Sequence, residues 1–188
     1  YMKENLQKIL QARVYEVAKE TPLEKANILS KKFNNNIFLK REDLQEVFSF
    51  KIRGAFNKMR NLSKDKLEKG VITSSAGNHA QGVAMSAIKL KSKATILMPI
   101  TTPLVKIKAV RELQAEVILF GENYDESYLE ALRLSKERGL TFIHPFDDIE
   151  VIAGQGTIAV EIMSQLRDPP DCIYVAVGGG GLIAGILT

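Results

Sequence analysis

"VITSSAGNHAQGVA", residues 71–84, changes character midway, and that change decides how the chain folds. Its opening residues, VITSS, are β-branched or small and read as a strand. From Asn78 to about residue 90 the apolar residues return at helical spacing. Strand, tight loop and helix therefore follow one another directly. The same succession continues outward. "ATILMP" (94–99), "EVILFG" (116–121), "TFIHP" (141–145) and "CIYVAV" (172–177) read as further strands. Amphipathic segments lie between them at 103–114, 124–138 and 151–166. Ahead of these, "NIFLKRED" (36–43) reads as a strand with its exit loop, and "ENLQKILQAR" and "PLEKANILSKKF" as two leading helices. Such alternation predicts an α/β fold with open, mostly parallel sheet. There is no internal repeat or low-complexity linker, and "RDPPD" (167–171) is the sharpest turn signal.

Composition removes several function classes. The chain has 188 residues, 45% hydrophobic and 26% charged, with a formal net charge of +4. Acidic residues interleave with basic ones, as in "SKDKLEKG" (63–70), which reads as a solvated helix face. No basic block carries interleaved aromatics, so no nucleic-acid partner is expected. The single cysteine, Cys172, cannot form an internal disulfide and reads as a small buried hydrophobe in an apolar strand. His79 and His144 lack metal-site spacing, so no metal is expected. No secretory signal peptide opens the chain. The uncharged run 172–188 is interrupted by four glycines and is short for a membrane span. No membrane partner is expected, and the predicted location is cytoplasmic. With Tyr1 ahead of Met2, and a closing "GLIAGILT" that reads as a helix start, the sequence is expected to be a piece of a longer chain.

Three loops carry chemistry. In open α/β sheets, ligands bind where strands hand over to helices at their carboxyl ends. "TSSAGNHAQG" (73–82) offers small residues, a helix start and the side chains of Ser74, Ser75 and Asn78, which suits an anion of carboxylate size. Simple helix capping would use the same residue types. "VGGGGLIAG" (177–185) strips every side chain from a turn whose amides can converge on phosphate. It lacks the Lys-Ser/Thr pair of a Walker loop and the acidic residue of a dinucleotide site. In "FSFKIRGA" (48–55), Lys51 stands beside Phe48 and Phe50, at the edge of an apolar face formed by Ile52, Ala55, Phe56 and Met59. Alone, it reads as a surface lysine lying over apolar neighbours. Joined to a phosphate cradle and an anion loop, it reads as the Schiff-base lysine of pyridoxal 5'-phosphate, its amine made less basic by apolar surroundings.

The ordered series "TPLEKANILS", "IFLKREDLQEVFSFKIRGAFNKM", "GVITSSAGNHAQGVA", "KIKAVRELQAEVILFG", "VIAGQGT" and "VGGGGLIAG" resembles the tryptophan-synthase-like, fold-type II pyridoxal phosphate enzymes. More narrowly, it resembles the biosynthetic threonine ammonia-lyases (threonine dehydratases or deaminases). The resemblance implies a two-domain architecture truncated at its C-terminus. Residues 1–53 would begin a large cofactor domain, 54–140 form a small α/β domain and 141–188 start the return to the large one. It implies Lys51 as Schiff-base lysine and general base, with Phe50 beside the cofactor and Asn78 on its ring hydroxyl. Gly178, Gly179, Gly180, Gly181 and the Leu182 amide would hold the phosphate. Ser75, Gly77, Asn78, His79 and Gln155 would bind the substrate carboxylate. The implied reaction is dehydration and deamination of L-threonine, and of L-serine, in a homo-oligomer that is a tetramer in the family. The expected pathway is isoleucine biosynthesis under allosteric control. Alternatives are a serine racemase or another lyase or synthase of this fold, and a non-catalytic phosphate-ligand module. In the resembling racemases a serine precedes the Gly-Asn of the anion loop; here that position is Ala76.

Overall fold

The computed structural model describes residues 2–188, so the Tyr1–Met2 junction lies outside the described residues. Helix α1 (Met2–Gln11) is followed by a 3-10 turn at Val14–Glu16 and a small antiparallel ribbon, β1 (Leu23–Lys25) paired with β2 (Phe38–Lys40), around α2 (Asn27–Phe33). The expected second leading helix therefore starts later than its sequence pattern, because residues 23–25 are extended. Leu23 pairs with Lys40 and Lys25 with Phe38, and the Ala26 N–H reaches the Ile37 carbonyl at 2.8 Å. Asn34, left-handed at φ 47°, ends α2 and turns the chain back, so ribbon pairing prevails over local helix preference.

Next come α3 (Lys51–Arg60) and α4 (Lys64–Lys69), then the main sheet. Its strands are β3 (Val71–Ser74), β4 (Ala94–Met98), β5 (Glu116–Leu119) and β6 (Thr141–Phe142), in the order β5-β4-β3-β6 and parallel throughout. Each hands over to a helix: α5 (Asn78–Lys89), α6 (Leu104–Glu112), α7 (Tyr124–Arg138) and α8 (Ile149–Gln165). The caps explain two of these starts. Asn123 accepts the Glu126 N–H at 3.0 Å, and Asp148 accepts those of Glu150 and Val151. Both sheet faces are covered, so β3 and β4 are apolar almost without alternation. Val71, Ile96 and Met98 pack with Ala55, Met59, Ala80 and Val83 of α3 and α5. Ile72 and Leu97 face Ala131 and Leu134 of α7.

Two glycine contacts fix α3. A Cβ on Gly82 would lie 3.1 Å from the Lys51 carbonyl, so α5 rests on the backbone of α3. A Cβ on Gly154 would lie 2.6 Å from the Arg53 carbonyl, so α8 does the same from another side. The last helix, α9 (Gly181–Ile186), lies on α8, where a Cβ on Gly185 would meet the Gly156 nitrogen at 2.7 Å.

The expected strand at 172–177 does not form. No sheet edge among the described residues receives its backbone, and Tyr174 is 95% exposed. Cys172, expected to be buried, is exposed for the same reason. Among the described residues, no helix is long and apolar enough to cross a membrane, and no cluster of three His, Cys, Asp or Glu side chains could hold a metal ion.

Candidate functional site

Strand order locates a crevice. The chain steps from β3 to β4 to β5 on one side, then returns to place β6 on the other side of β3. Loops leaving β3 and β6 therefore diverge at their carboxyl ends, where α/β sheets take ligands. These loops are residues 75–77 and 143–148. They are tied together at Ile143, whose carbonyl accepts from the Thr73 hydroxyl at 2.8 Å and from His79 Nε2 at 3.1 Å. A carbonyl only accepts, so Nε2 carries the proton and His79 Nδ1 is a bare lone pair. Burial, aided by the charges of Lys51 and His144 and opposed by the Ile143 bond, pushes His79 down to about 3. It is a neutral imidazole. Its Nδ1 and the Ser74 hydroxyl are buried at this end of β3 without a protein partner.

Lys51 is the first residue of α3, with Phe50 as the residue before it. Its Nζ donates to the Pro145 carbonyl at 2.7 Å, across the crevice, and lies 5.5 Å from the centre of the Phe50 ring. Half-burial makes the amine less basic than an ordinary lysine, which raises its neutral, nucleophilic fraction. Pro145 leads into Phe146, and Phe146 reaches the glycine turn. A Cβ on Gly179 would fall 2.1 Å from the Phe146 ring, and one on Gly181 would fall 2.8 Å from its carbonyl. Gly180 is left-handed at φ 89° and precedes α9. Glycine at 179 and 181 is thus required by close approach, at 180 by backbone angle.

Behind Lys51 the start of α3 is anchored by buried charges. Arg53, fully buried, meets Glu161 through Nη1 at 2.5 Å and Nη2 at 3.0 Å, and meets Glu42 through Nε and Nη2, both at 2.8 Å. Lys40 reaches Glu161 at 2.6 Å, and the Tyr15 hydroxyl donates to the same carboxylate at 2.8 Å. Burial alone would raise the Glu161 pKa, but Arg53 and Lys40 outweigh it and hold the carboxyl below its usual range.

The remaining expected residues fall as follows. The Ser75 hydroxyl accepts the Gly77 N–H at 3.2 Å, a local loop bond. Asn78 opens α5, is exposed, and no side chain caps that helix. Gln155 lies at the α3–α8 crossing, where its Oε1 accepts the Gly54 N–H at 3.2 Å and its buried Nε2 has no partner. Gly178 and Gly180 face open space, and Leu182 sits in the first turn of α9. Sequence reasoning missed Pro145 and Phe146. Their signal was a proline between two rings in "HPF", directly after a strand. Gly82, the last small residue of the 73–82 stretch, lies against the backbone of α3. A cleft of about 570 Å³ opens at the other ends of the strands, lined by Lys69, Lys93, Glu116 and Arg138, and none of the residues above lines it.

Pyridoxal 5'-phosphate needs an amine of reduced basicity, donors for a phosphate and cover for a ring. The residues present fit it: the half-buried Lys51 amine, a glycine turn that a Cβ would block, an uncapped helix start, and unpaired polar atoms on Ser74 and His79.

Residues 14–188 match the family described as pyridoxal-phosphate dependent enzyme. The biosynthetic L-threonine dehydratase IlvA of Burkholderia multivorans is 58% identical over 184 residues, covering 96% of this chain and 36% of that protein. The chloroplastic biosynthetic threonine dehydratase of Arabidopsis thaliana is 57% identical over 183 residues, covering 97% and 31%. The chain thus spans about a third of the length of these relatives. The processed form of threonine deaminase isoform 2 from Solanum lycopersicum superposes with a TM-score of 0.94 at 55% identity, covering 97% of this chain and 50% of that one. Maize serine racemase superposes with a TM-score of 0.92 at 32% identity, covering 96% and 55%. The fold is that of the fold-type II enzymes, and the family match runs through Lys51, the start of α5 and the glycine turn alike. The chain belongs to the pyridoxal-phosphate dependent enzymes.

Proposed function

We propose that the protein containing this chain is an ammonia-lyase that dehydrates and deaminates L-threonine, and L-serine, giving 2-oxobutanoate or pyruvate with ammonia. The observation that carries this reading is the half-buried Lys51 amine at the switch-point crevice, in a chain 58% identical to a biosynthetic threonine dehydratase. When bound, pyridoxal phosphate supplies an electron sink conjugated to the substrate nitrogen, which eases loss of the α-proton and then of the β-hydroxyl. In this reading Lys51 Nζ takes the α-proton, since burial leaves more of it neutral at working pH. Phe50, whose ring centre lies 5.5 Å from the amine, screens it from water. Asn78 holds the cofactor's ring hydroxyl, and Gly178–Gly181 with the Leu182 amide hold its phosphate. The uncapped turn at Gly77, Asn78 and His79 takes the substrate carboxylate with Ser75, and the unpaired Nε2 of Gln155 is the further open donor.

Ala76 favours elimination over racemisation. It carries no ionisable proton on the face where the resembling racemases place a serine, and it packs on the apolar core. The reading extends to isoleucine biosynthesis, a cytoplasmic homo-oligomer and effector control. It keeps the division into residues 1–53, 54–140 and 141–188, whose first boundary runs through α3. Borohydride reduction of the full-length protein, peptide mapping and product analysis test it. Labelling at Lys51, with oxo acid and ammonia formed from L-threonine, is the expected result. A label on Lys40 or Lys58, or accumulation of D-serine from L-serine, overturns it.

A further inference from the structure

His144 follows β6 and has no role in the chemistry above. Its Nδ1 accepts the N–H of Asp147 at 2.7 Å and of Phe146 at 3.3 Å, so this nitrogen bears no proton. The two bonds close a turn over residues 144–147. That turn delivers the Pro145 carbonyl to Lys51 Nζ at 2.7 Å and sets the Phe146 ring against Gly179 and its carbonyl against Gly181. The imidazole also packs edge-on to Phe146, with ring centres 4.7 Å apart, and meets Tyr128 and Phe142 at 6.2 Å each.

We propose that His144 is a positioning residue whose bare Nδ1 holds the 144–147 turn, so that one side chain sets both Lys51 and the glycine turn and its protonation releases both. The proposal rests on the reading of Lys51 as the reactive amine. Its electrostatic surroundings are specific. Asp147 and Asp148 on its own segment favour the protonated ring, although Asp148 is already paired with Lys58 at 2.6 Å. Lys51 from α3 disfavours it, His79 from α5 is buried and neutral, and Tyr128 from α7 presents only a ring. Burial is the strongest influence and lowers the His144 pKa below the free value. The turn is therefore closed at neutral pH. It is lost as the pH falls below the ordinary histidine range, because the open form then binds the extra proton.

Two variants of the full-length, cofactor-free protein test this. His144→Phe keeps a ring against Phe146 and removes the acceptor. His144→Asn keeps an oxygen that can accept the same two N–H groups and cannot take a proton. The readouts are acylation of Lys51 by trace anhydride across pH, referenced to exposed Lys64, and amide exchange at 146–147 corrected for intrinsic rate. We expect His144→Phe to label about tenfold less at Lys51 near neutral pH, because an amine released from burial is more fully protonated. Its 146–147 amides should exchange about tenfold faster, which corresponds to loss of one hydrogen bond's net stabilisation. Wild-type exchange should quicken on acidification, and His144→Asn should lack that acid step while keeping the wild-type Lys51 profile. A folded His144→Phe with unchanged Lys51 labelling overturns the proposal. So does an acid step in His144→Asn equal to wild type, which decides the matter if His144→Phe fails to fold. Neither readout uses cofactor, so failure of the lyase reading would leave both results interpretable.

Discussion

Glu161→Gln removes one negative charge from the cluster behind Lys51 and leaves the side chain's size unchanged. In the wild type, Arg53 is shared between Glu161 and Glu42, and among the described residues Lys40 takes its only carboxylate contact from Glu161. The substitution leaves the guanidinium, fully buried, with a single carboxylate, and Lys40, only 10% exposed, with neutral oxygens of Thr21 and Gln165. Breaking a buried pair from one side costs about 3–5 kcal/mol, since the surviving charge has already lost its water. At roughly 2–4 °C per kcal/mol for a cooperative unit of this chain's size, the midpoint of the transition that unfolds it should fall by about 10 °C. Glu137→Gln is the matched control. It breaks an ion pair with Arg133 in which both side chains are more than half exposed, and should move the midpoint by about 2 °C or less. The pH dependence follows the depressed Glu161 pKa. The cluster's stabilisation is complete above the ordinary carboxylate range and is lost as the pH falls through the lower, folded-state value. Thermal unfolding of the full-length protein followed by circular dichroism across pH is the assay. If both variants shift the midpoint alike, the argument from burial is refuted.

Gly154→Ala places a Cβ 2.6 Å from the Arg53 carbonyl and 2.7 Å from the Gly54 Cα, against ordinary contact beginning at 3.4 Å, so α3 and α8 must part by about 0.8 Å. Overpacking of this kind costs about 1–3 kcal/mol, and the displacement of Lys51 should lower kcat/KM about 100-fold in steady-state assays of the full-length protein. Phe48 is 74% exposed and left-handed at φ 56°, so Phe48→Gly should relieve strain and stabilise by about 1 kcal/mol, read as a midpoint raised by about 2–4 °C.

The parallel sheet was legible because both of its faces are covered, which makes β3 and β4 short apolar runs between amphipathic helices. The helix at 51 was legible from Ile52, Ala55, Phe56 and Met59 alone. Residues 22–25 misled because leucine, glutamate and lysine are good helix formers, and only the distant partner Phe38–Lys40 makes them a strand. The run 172–177 misled in the opposite way: its composition suits a buried strand, but composition does not supply a neighbour. In the site, Lys51 and the glycine turn stood out as unusual residues in unusual places. What joins them, the turn at 144–147, is made of a histidine, a proline and a phenylalanine that would pass unnoticed in any loop. Gln155 shows the same limit, since the α8 pattern says that it is inside and not which helix it touches.

The backbone contacts of α3 with α5 and α8 have a mechanical consequence. Side chains between two helices act as compliant spacers, because rotamers adjust and absorb small slides. At Gly82 and at Gly154 against Gly54 there is no spacer, so main chain bears on main chain. A displacement of either flanking helix passes into α3 undamped and emerges at its first residue, which is Lys51. The amine is thus stiffly mounted against local fluctuation and fully exposed to rigid-body movement of α5 or α8. An influence that reaches it through these two contacts acts by moving α5 or α8, a route separate from the 144–147 turn.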